Sequence, residues 1–247
     1  MNDLDIYQPA EDSYLLQKFV RRYATGRVLD IGTGSGIQAL TAIEVPSVRE
    51  AIAVDINPKA VEALKQEIDK RKLRKIKAVK GDLFENLDGF FNAVIFNPPY
   101  LPQDKGIEDA ALYGGKKGWE ISERFFKEVS SHLFPEGIVL FLFSSLTNKQ
   151  KIEEILEHNL LQWEELGEEK VAFETLYVYK ITKSPLLRQL EGKLLRNVHY
   201  FAEGSRGMVY TAQFDKSMVI KKQVPVKKRT ITVAVKVKKK DSKSTDA

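Results

Sequence analysis

Between residues 27 and 183 the sequence alternates short runs of apolar and β-branched residues with longer amphipathic segments. This alternation is typical of β-α-β units, in which helices connect the parallel strands of one sheet. It predicts an α/β fold whose sheet is covered by helices on both faces. The predicted strands are residues 27–31, 51–56, 77–81, 92–96, 137–143 and 174–181, and the predicted helices are residues 36–44, 58–71, 119–132 and 147–159, with another helix starting near Pro9.

The alternation stops at the Ser184-Pro185 step, which predicts a domain boundary. We expect a sheet domain over residues 1–183 and a basic C-terminal extension over residues 184–247. Residues 221–247 carry ten Lys and Arg against two Asp, whereas the rest of the chain carries 29 Lys and Arg against 32 Asp and Glu. Such a basic end can contact nucleic acid or the ribosome, although most Lys-rich ends are simply solvated.

The composition argues against several kinds of chemistry. The 247-residue chain has no cysteine and three scattered histidines, so it offers no disulfide, no thiolate or imidazole metal site and no nucleophile–histidine pair. We therefore expect no bound metal. The longest apolar run, residues 137–143, is far shorter than the roughly 20 residues that span a bilayer, and residues 1–5 lack a signal-peptide pattern. These features predict a cytoplasmic protein that does not enter a membrane.

The first predicted strand runs into a glycine-rich turn, with the sequence LDIGTGSG over residues 29–36. Gly32, Gly34 and Gly36 would let the backbone approach a ligand closely at the start of a helix. The spacing is G-x-G-x-G, whereas the dinucleotide fingerprint is G-x-G-x-x-G. Asp30 suits a cation, such as the amino group and sulfonium of S-adenosylmethionine, better than a pyrophosphate. A tight turn without a ligand is the alternative interpretation.

Two more carboxylates follow the next two predicted strands. Asp55 lies 21 residues after Gly34, where a carboxylate accepts hydrogen bonds from ribose hydroxyls in such folds. Asp82, followed by Leu83, can accept the adenine amino group. The alternatives are a helix cap for the first carboxylate and a turn aspartate for the second. Because the carboxyl ends of parallel strands meet at one edge of the sheet, we expect these side chains to line one ligand site.

The sequence NPPY, Asn97 to Tyr100, comes directly after the predicted buried strand AVIF. Pro98 and Pro99 forbid a continuing strand and hold a rigid extended turn, so the Asn97 side chain and the Pro98 carbonyl would project from the sheet edge. These two acceptors can bind both N–H groups of one –NH2 group and aim its nitrogen at an electrophilic methyl group. Tyr100 would supply a stacking wall. An ordinary Asn-Pro turn is the alternative.

Several motifs follow one another in order over residues 6–183. They are YQPAEDSYLL at 7–16, LDIGTGSG at 29–36, VDINP at 54–58, NPPYLP at 97–102, a Gly-Gly loop with RFF at 114–126, and ETLYVYKITK at 174–183. As a set they resemble the archaeal and eukaryotic branch of the HemK family, the release-factor N5-glutamine methyltransferases. The resemblance implies a class I methyltransferase fold, a Rossmann-like sheet of seven strands with the last one antiparallel, and S-adenosylmethionine as cofactor.

The resemblance also assigns roles to residues. It implies that the glycine turn and Asp30 hold the methionine end of the cofactor, Asp55 the ribose, and Asp82 with Leu83 the adenine. The segment around the N-terminal PAED sequence closes over the cofactor in that family, which makes Pro9, Glu11 and Ser13 candidate contacts, although they can equally be a simple helix start. Asn97 with Pro98 would hold the substrate amide, beside Pro99 and Tyr100, and Asn97 would also touch the cofactor.

The substrate implied by the resemblance is the glutamine of the Gly-Gly-Gln tip of a class I release factor. Eukaryotic members of the family work with a small zinc-binding activator subunit, so such a subunit is a candidate partner here. Substrate docking is expected at the rim of the sheet, at the loop over residues 101–118 or on another subunit. That loop is long and contains paired glycines, which favours an active-site lid over a plain surface loop.

The extension departs from the family. Residues 201–222 weakly resemble the opening hairpin of small RIO-like archaeal protein kinases, with Gly204 and Gly207 in the turn. A kinase also needs a catalytic-loop aspartate and an Asp-Phe-Gly segment, and the sequence has neither, so we expect no phosphoryl transfer. Residues 230–237 alternate like a strand, and the residues after them predict a disordered tail.

Taken together, these features predict a methyltransferase that modifies a protein glutamine and acts in translation termination. The second hypothesis is N6-adenine or N4-cytosine methylation of DNA or RNA, against which the slightly acidic body of the chain and the lack of a target-recognition domain argue. The third is a non-catalytic RNA or ribosome adaptor that uses the basic tail. The intact NPPY sequence and the carboxylates at successive strand ends argue against that adaptor.

Overall fold

The structure, a computed structural model, describes residues 6–101, 115–192, 195–204, 207–215 and 230–238. Its helices are α1 (Glu11–Tyr23), α2 (Ile37–Glu44), α3 (Pro58–Arg71), α4 (Glu120–Val129), α5 (Lys149–His158) and α6 (Pro185–Gly192), with short 3-10 turns at Ser130–His132 and Ser145–Thr147. Its strands are β1 (Gly26–Ile31), β2 (Val48–Asp55), β3 (Ile76–Lys80), β4 (Phe91–Phe96), β5 (Leu133–Ser144), β6 (Leu161–Val171), β7 (Glu174–Lys183), β8 (Leu195–Gly204), β9 (Gly207–Asp215) and β10 (Thr230–Lys238).

Seven strands form the main sheet, in the order β3-β2-β1-β4-β5-β7-β6. Strands β1 to β5 pair in parallel, and β7 pairs antiparallel with both β5 and β6. This arrangement confirms the predicted Rossmann-like α/β fold with an antiparallel last strand. The strand order reverses between β1 and β4, and such a switch point leaves a crevice outside the carboxyl ends of the strands.

Two clusters of buried apolar side chains cover the two faces of the sheet. In β1, Leu29 belongs to one cluster and its neighbour Val28 to the other, because successive side chains of a strand point to opposite faces. Helices α1, α2 and α3 contribute to the Val28 cluster, and helices α4 and α5 to the Leu29 cluster. The prediction of helices on both faces is therefore confirmed.

The predicted elements match the observed ones closely, with two omissions. Helix α3 occupies the predicted range, and Asn57 caps it by accepting a hydrogen bond from the Lys59 N–H. Strand β6 was not predicted, because it is an edge strand with charged residues on both faces and shows no clean alternation. Helix α6 was also missed, since it begins at the proline that predicted a domain boundary.

The C-terminal extension forms a second sheet, in the order β10-β9-β8. Strands β8 and β9 make an antiparallel hairpin whose last described pair is Gly204 with Gly207, and the predicted strand over residues 230–237 is confirmed as β10. Tyr210 is fully buried and belongs to the Leu29 cluster, so this sheet shares the core of the main one. The domain division into residues 1–183 and 184–247 stays a prediction.

The extension begins with a buried ion pair. Lys183, at the end of β7, is buried and lies 2.8 Å from the Glu191 carboxylate on α6. Burial lowers the pKa of Lys183, and the bond to Glu191 opposes that shift. His158 of α5 stacks on Tyr200 of β8 with 4.1 Å between ring centroids. Across the described residues, no helix is long and apolar enough to cross a membrane.

Tyr210→Ala tests whether the extension is part of the folding unit. Removing this fully buried ring should lower the free energy of unfolding by about 3 kcal/mol, because it leaves a cavity in the shared core. The matched control is Phe201→Ala on β8, whose side chain is 70% exposed and whose loss should change stability by about 0.5 kcal/mol or less. Urea unfolding followed by circular dichroism measures both variants. Equal midpoints for Tyr210→Ala and the parent would show that the extension contributes nothing to the core.

Candidate ligand site at the carboxyl edge of the sheet

A cavity of about 280 Å³ opens at the carboxyl ends of β1, β2 and β4, beside the start of α1. Most of the predicted site residues line it. They are Ser13, Asp30, Gly32, Gly34, Asp55, Asp82, Leu83, Asn97, Pro98, Pro99 and Tyr100. The predicted contacts Pro9, Glu11 and Gly36 are not among the lining residues. The predicted lid over residues 101–118 lies largely outside the described residues.

The glycine turn after β1 owes its shape to positive φ angles. Gly32 and Gly34 have φ values of +64° and +52° and line the cavity, so their backbone is open to a ligand. Gly36 also has a positive φ, of +83°, but a Cβ added there would lie 2.6 Å from the Leu64 side chain. The glycine at position 36 therefore serves the packing of α3 against the turn.

Asp30 lies at the end of β1 and is 2% exposed. One of its oxygens accepts hydrogen bonds from the Thr33 hydroxyl at 2.6 Å and from the Ala39 N–H at 3.1 Å. The pKa of Asp30 is raised to about 7, mainly by burial and to a smaller extent by the charge of Asp55, although the two hydrogen bonds act in the opposite direction. A positive ligand group in the cavity would favour the ionised form.

Asp55 and Asp82 differ in how free their carboxylates are. Asp55 accepts hydrogen bonds from the backbone N–H groups of Gly34 and Asn57, each at 2.8 Å, so it ties the glycine turn to the end of β2. The Asp82 carboxylate forms an ion pair with Arg124 of α4 at 2.7 Å. Arg124 also lines the cavity, and the sequence did not indicate this contact. A ligand that uses Asp82 must share it with Arg124.

The Asn97 side chain presents an unsatisfied acceptor. Its Nδ2 donates a hydrogen bond to an Asp12 oxygen at 2.8 Å, and this bond fixes which end of the amide faces Asp12. Its Oδ1 is buried and has no hydrogen-bond partner in the part of the chain that the structure describes. A buried acceptor without a partner costs about 1 to 3 kcal/mol, so a ligand that donates to it gains that amount.

Asp12 is another residue of the cavity that the sequence analysis did not predict as a site residue. It is 4% exposed, and its other oxygen accepts hydrogen bonds from the Ser13 N–H at 2.6 Å and the Tyr7 hydroxyl at 3.0 Å. A signal was present, because residues 12, 15, 16 and 20 follow the helical period and the last three are buried apolar residues. A carboxylate on the apolar face of a helix needs a partner, and here that partner is the NPPY turn.

Gln38 provides a second unsatisfied acceptor in the cavity. Its side chain is 4% exposed, and its Nε2 donates to the Ser13 carbonyl at 2.9 Å, which joins α2 to α1. Its Oε1 is buried and unpartnered among the described residues. The cavity thus combines two free acceptors with the buried carboxylates of Asp30 and Asp55. These acceptors suit a ligand that carries N–H groups, hydroxyls and positive charge.

Comparisons with known proteins show the family of this chain. The model of the methyltransferase small domain family matches residues 11–176. A Methanocaldococcus jannaschii relative, provisionally named as a protein N5-glutamine methyltransferase, is 37% identical over 179 residues, which are 70% of this chain and 90% of the relative. Human methyltransferase HEMK2 is 31% identical over 195 residues, which are 73% of this chain and 91% of the human protein.

A solved structure gives the same fold. The complex of Mtq2 and Trm112 from E. cuniculi, responsible for methylation of the translation termination factor eRF1, contains a chain that superposes with a TM-score of 0.58 at 26% sequence identity. The match covers 72% of this chain and 98% of that chain.

Asp30→Asn tests the electrostatic state of the cavity. With a pKa of about 7 in the folded protein and 3.8 in model compounds, Asp30 makes the folded chain bind more protons than the unfolded chain between about pH 4 and pH 7. The free energy of unfolding therefore falls as pH rises through that window, by at most about 1.4 kcal/mol per pH unit. Since Asn does not titrate, the variant should gain stability relative to the parent between pH 5 and pH 8.

Urea unfolding at the two pH values measures this difference. The control is Glu44→Gln, which removes an exposed carboxylate that pairs with Arg21 and should alter stability by less than about 1 kcal/mol at either pH. A stability difference between Asp30→Asn and the parent that is the same at pH 5 and pH 8 would contradict the raised pKa.

Proposed function

Because the chain belongs to the HemK family of small-domain methyltransferases, we propose that it methylates the side-chain nitrogen of a glutamine in a protein substrate. The substrate we propose is the Gly-Gly-Gln glutamine of a class I release factor. The E. cuniculi complex of Mtq2 and Trm112 supports this choice, since it is responsible for methylation of the translation termination factor eRF1.

S-adenosylmethionine is the cofactor of this family, and it supplies the electrophilic methyl group. The lining of the cavity fits it, because the free Gln38 Oε1 and the buried Asp30 carboxylate can face a cationic methionine end. We assign the ribose hydroxyls to Asp55 and the adenine to the segment of Asp82 and Leu83. Asp55 already holds the glycine turn, so the same carboxylate would position both the turn and the ligand.

The observation that carries the proposal is the free Oδ1 of Asn97. A glutamine amide has two N–H groups, and we assign one to Asn97 Oδ1 and the other to the Pro98 carbonyl. Asp12 keeps the Asn97 amide in the orientation that presents oxygen, since the opposite orientation would place oxygen against the carboxylate. A substrate without these N–H groups would leave buried acceptors unpaired and bind more weakly by about 1 to 3 kcal/mol for each.

The chemical task is to make a weak nucleophile react. An amide nitrogen shares its lone pair with the carbonyl, so holding both N–H groups and aiming the lone pair at the methyl group is where the enzyme helps. One N–H proton is released in the overall exchange. Burial and the charge of Asp12 raise the pKa values of Tyr7 and Tyr100, so both phenols stay protonated near neutral pH and neither acts as a base. Tyr100 serves as a wall beside the substrate.

We further propose a cytoplasmic location, where a release factor works, and a small zinc-binding activator subunit. The activator is suggested by the E. cuniculi Mtq2, which was solved together with Trm112. Contact of the basic tail with nucleic acid or the ribosome stays a prediction, because residues 221–229 and 239–247 lie outside the described part of the chain.

Asn97→Ala tests the acceptor role. Loss of Oδ1 should lower kcat for transfer from labelled S-adenosylmethionine to the release factor by about 10- to 100-fold, because the amide loses one of its two acceptors. Cofactor affinity, measured by calorimetry, should change much less. The control is Asn159→Ala at the end of α5, whose Nδ2 bonds only locally to the Ile155 carbonyl and whose loss should leave kcat unchanged. Full activity in Asn97→Ala, with or without the activator, would refute the proposed role.

A double-mutant cycle tests the link between Asp12 and Asn97. If Asp12 acts by orienting the Asn97 amide, Asp12→Ala should lower kcat, and the double variant should be no worse than Asn97→Ala alone. The expected coupling is about 1 kcal/mol or more, because the two side chains share one hydrogen bond. Steady-state rates of the four proteins give this value. Losses that simply multiply would show that the two residues act independently.

A further inference from the structure

We propose that Glu174, the first residue of β7, is a substrate-binding residue that accepts a hydrogen bond from an N–H donor next to the target glutamine. This inference rests on the proposed function, because it concerns the protein segment that carries the glutamine. The donor is either a main-chain N–H or the side chain of a basic residue. Glu174 would act as a specificity-determining residue, separate from the pair of acceptors that holds the target amide.

The topology places Glu174 at the same edge of the sheet as the cavity. Strand β7 is antiparallel to β5, and the register pairs Leu176 with Ser144, the last residue of β5. The start of β7 therefore lies beyond the carboxyl ends of the parallel strands. The tip of the β6–β7 hairpin, with Phe173 and Glu174, thus belongs to the rim of the site.

Hydrogen bonds tie this hairpin to the NPPY turn. The Thr175 N–H donates to the Ser145 hydroxyl at 3.0 Å. Two residues later, the Thr147 hydroxyl donates to the Tyr100 carbonyl at 3.1 Å. The 3-10 turn that contains Ser145 and Thr147 consequently connects the start of β7 to the end of the NPPY sequence. These bonds tie the residue that follows Glu174 to the end of the NPPY sequence through a single short turn.

The Glu174 carboxylate lies close enough to two rings of the cavity to act on them electrostatically, although Glu174 is not itself a lining residue. Its charge contributes to the raised pKa values of both Tyr7 and Tyr100, and both of these rings line the cavity. Within the described segments, neither tyrosine hydroxyl donates a hydrogen bond to the Glu174 carboxylate. The Tyr7 hydroxyl donates to Asp12 instead. The Glu174 Oε2 is buried and has no hydrogen-bond partner in the described ranges of the chain. An ionised carboxylate can only accept hydrogen bonds, so this oxygen requires a donor that the described chain does not supply.

A bound substrate segment can supply that donor. The two N–H groups of the target amide are assigned to Asn97 and Pro98, so the next available donors are those of the neighbouring substrate residues. Phe173, beside Glu174, is 96% exposed. An exposed aromatic ring next to a carboxylate oxygen that is buried and unpartnered among the described residues is a combination suited to protein recognition, because aromatic residues are enriched at interfaces. The hairpin tip would therefore contact the substrate through both Phe173 and Glu174.

The test uses Glu174→Ala and Glu174→Gln in the full chain, together with the activator subunit where activity requires it. Methyl transfer is measured at varied concentrations of a release factor and of a Gly-Gly-Gln peptide. For Glu174→Ala we expect KM to rise about tenfold while kcat stays within about threefold of the parent value. For Glu174→Gln, which keeps an acceptor oxygen, KM should rise less. Cofactor affinity by calorimetry should not change. Glu168→Ala, an exposed carboxylate on the same hairpin, is the control and should keep the parent KM.

Two peptide series identify the donor. If a main-chain N–H is the donor, peptides N-methylated at the residues flanking the glutamine should bind the parent and Glu174→Ala equally weakly. If a basic side chain is the donor, peptides in which neutral residues replace Lys and Arg should bind the parent and Glu174→Ala equally weakly. Either result supports the inference, whereas a KM difference that persists in both series overturns it.

Other outcomes separate the two levels of the proposal. No transfer to release factor or peptide by the parent would refute the proposed function and this inference with it. Transfer by the parent with an unchanged KM in Glu174→Ala would overturn only the role of Glu174. A fall in kcat or in cofactor affinity at constant KM would also overturn it, because that result would mean that Glu174 merely supports Tyr7 and Tyr100.

Discussion

The hydrogen bond between the Asn97 amide and the Asp12 carboxylate joins two parts of the chain that are 85 residues apart. It connects the first turn of α1 to the end of β4, so the N-terminal helix closes one side of the cavity. The bond also decides the chemistry of the site, since an amide has a donor end and an acceptor end. By holding the donor end, Asp12 leaves the oxygen of Asn97 as a buried acceptor, and the cavity becomes a place for N–H groups.

The site contains carboxylates whose burial is unfavourable. Asp12 and Asp30 are both almost fully buried, and burial of carboxylates costs free energy unless hydrogen bonds or positive charges compensate. Asp12 is compensated by donors from its own helix, from Tyr7 and from Asn97. Among the described residues, two donors bind one oxygen of Asp30, and burial raises its pKa because these bonds do not fully compensate. A cationic ligand beside Asp30 would supply the missing compensation, so the protein without ligand already favours positively charged ligands at this position.

Much of the site was predictable because it depends on local sequence and on one rule of topology. The glycine turn and the NPPY sequence impose their backbone geometry themselves, and the carboxyl ends of parallel strands meet at one edge of the sheet. Asp12, Gln38 and Arg124 were not predicted, because each acts through a contact with a distant segment. Gly36, which the turn motif predicted as a ligand contact, does not line the cavity, and its lack of a side chain makes room for Leu64 of α3.

The C-terminal extension joins the fold on the side opposite the site. It begins where β7 ends, and the register of β7 with β5 places that end near the start of β5, at the amino edge of the parallel strands. No residue of the extension that the structure describes lines the cavity, yet Tyr210 lies in the same core as Leu29 of β1. Truncation of the extension would therefore expose part of the shared core, and lost activity in a truncated chain would not by itself indicate a binding role. Point substitutions on the exposed face of β8 leave that core intact. They therefore separate a binding role of the extension from a loss of core packing.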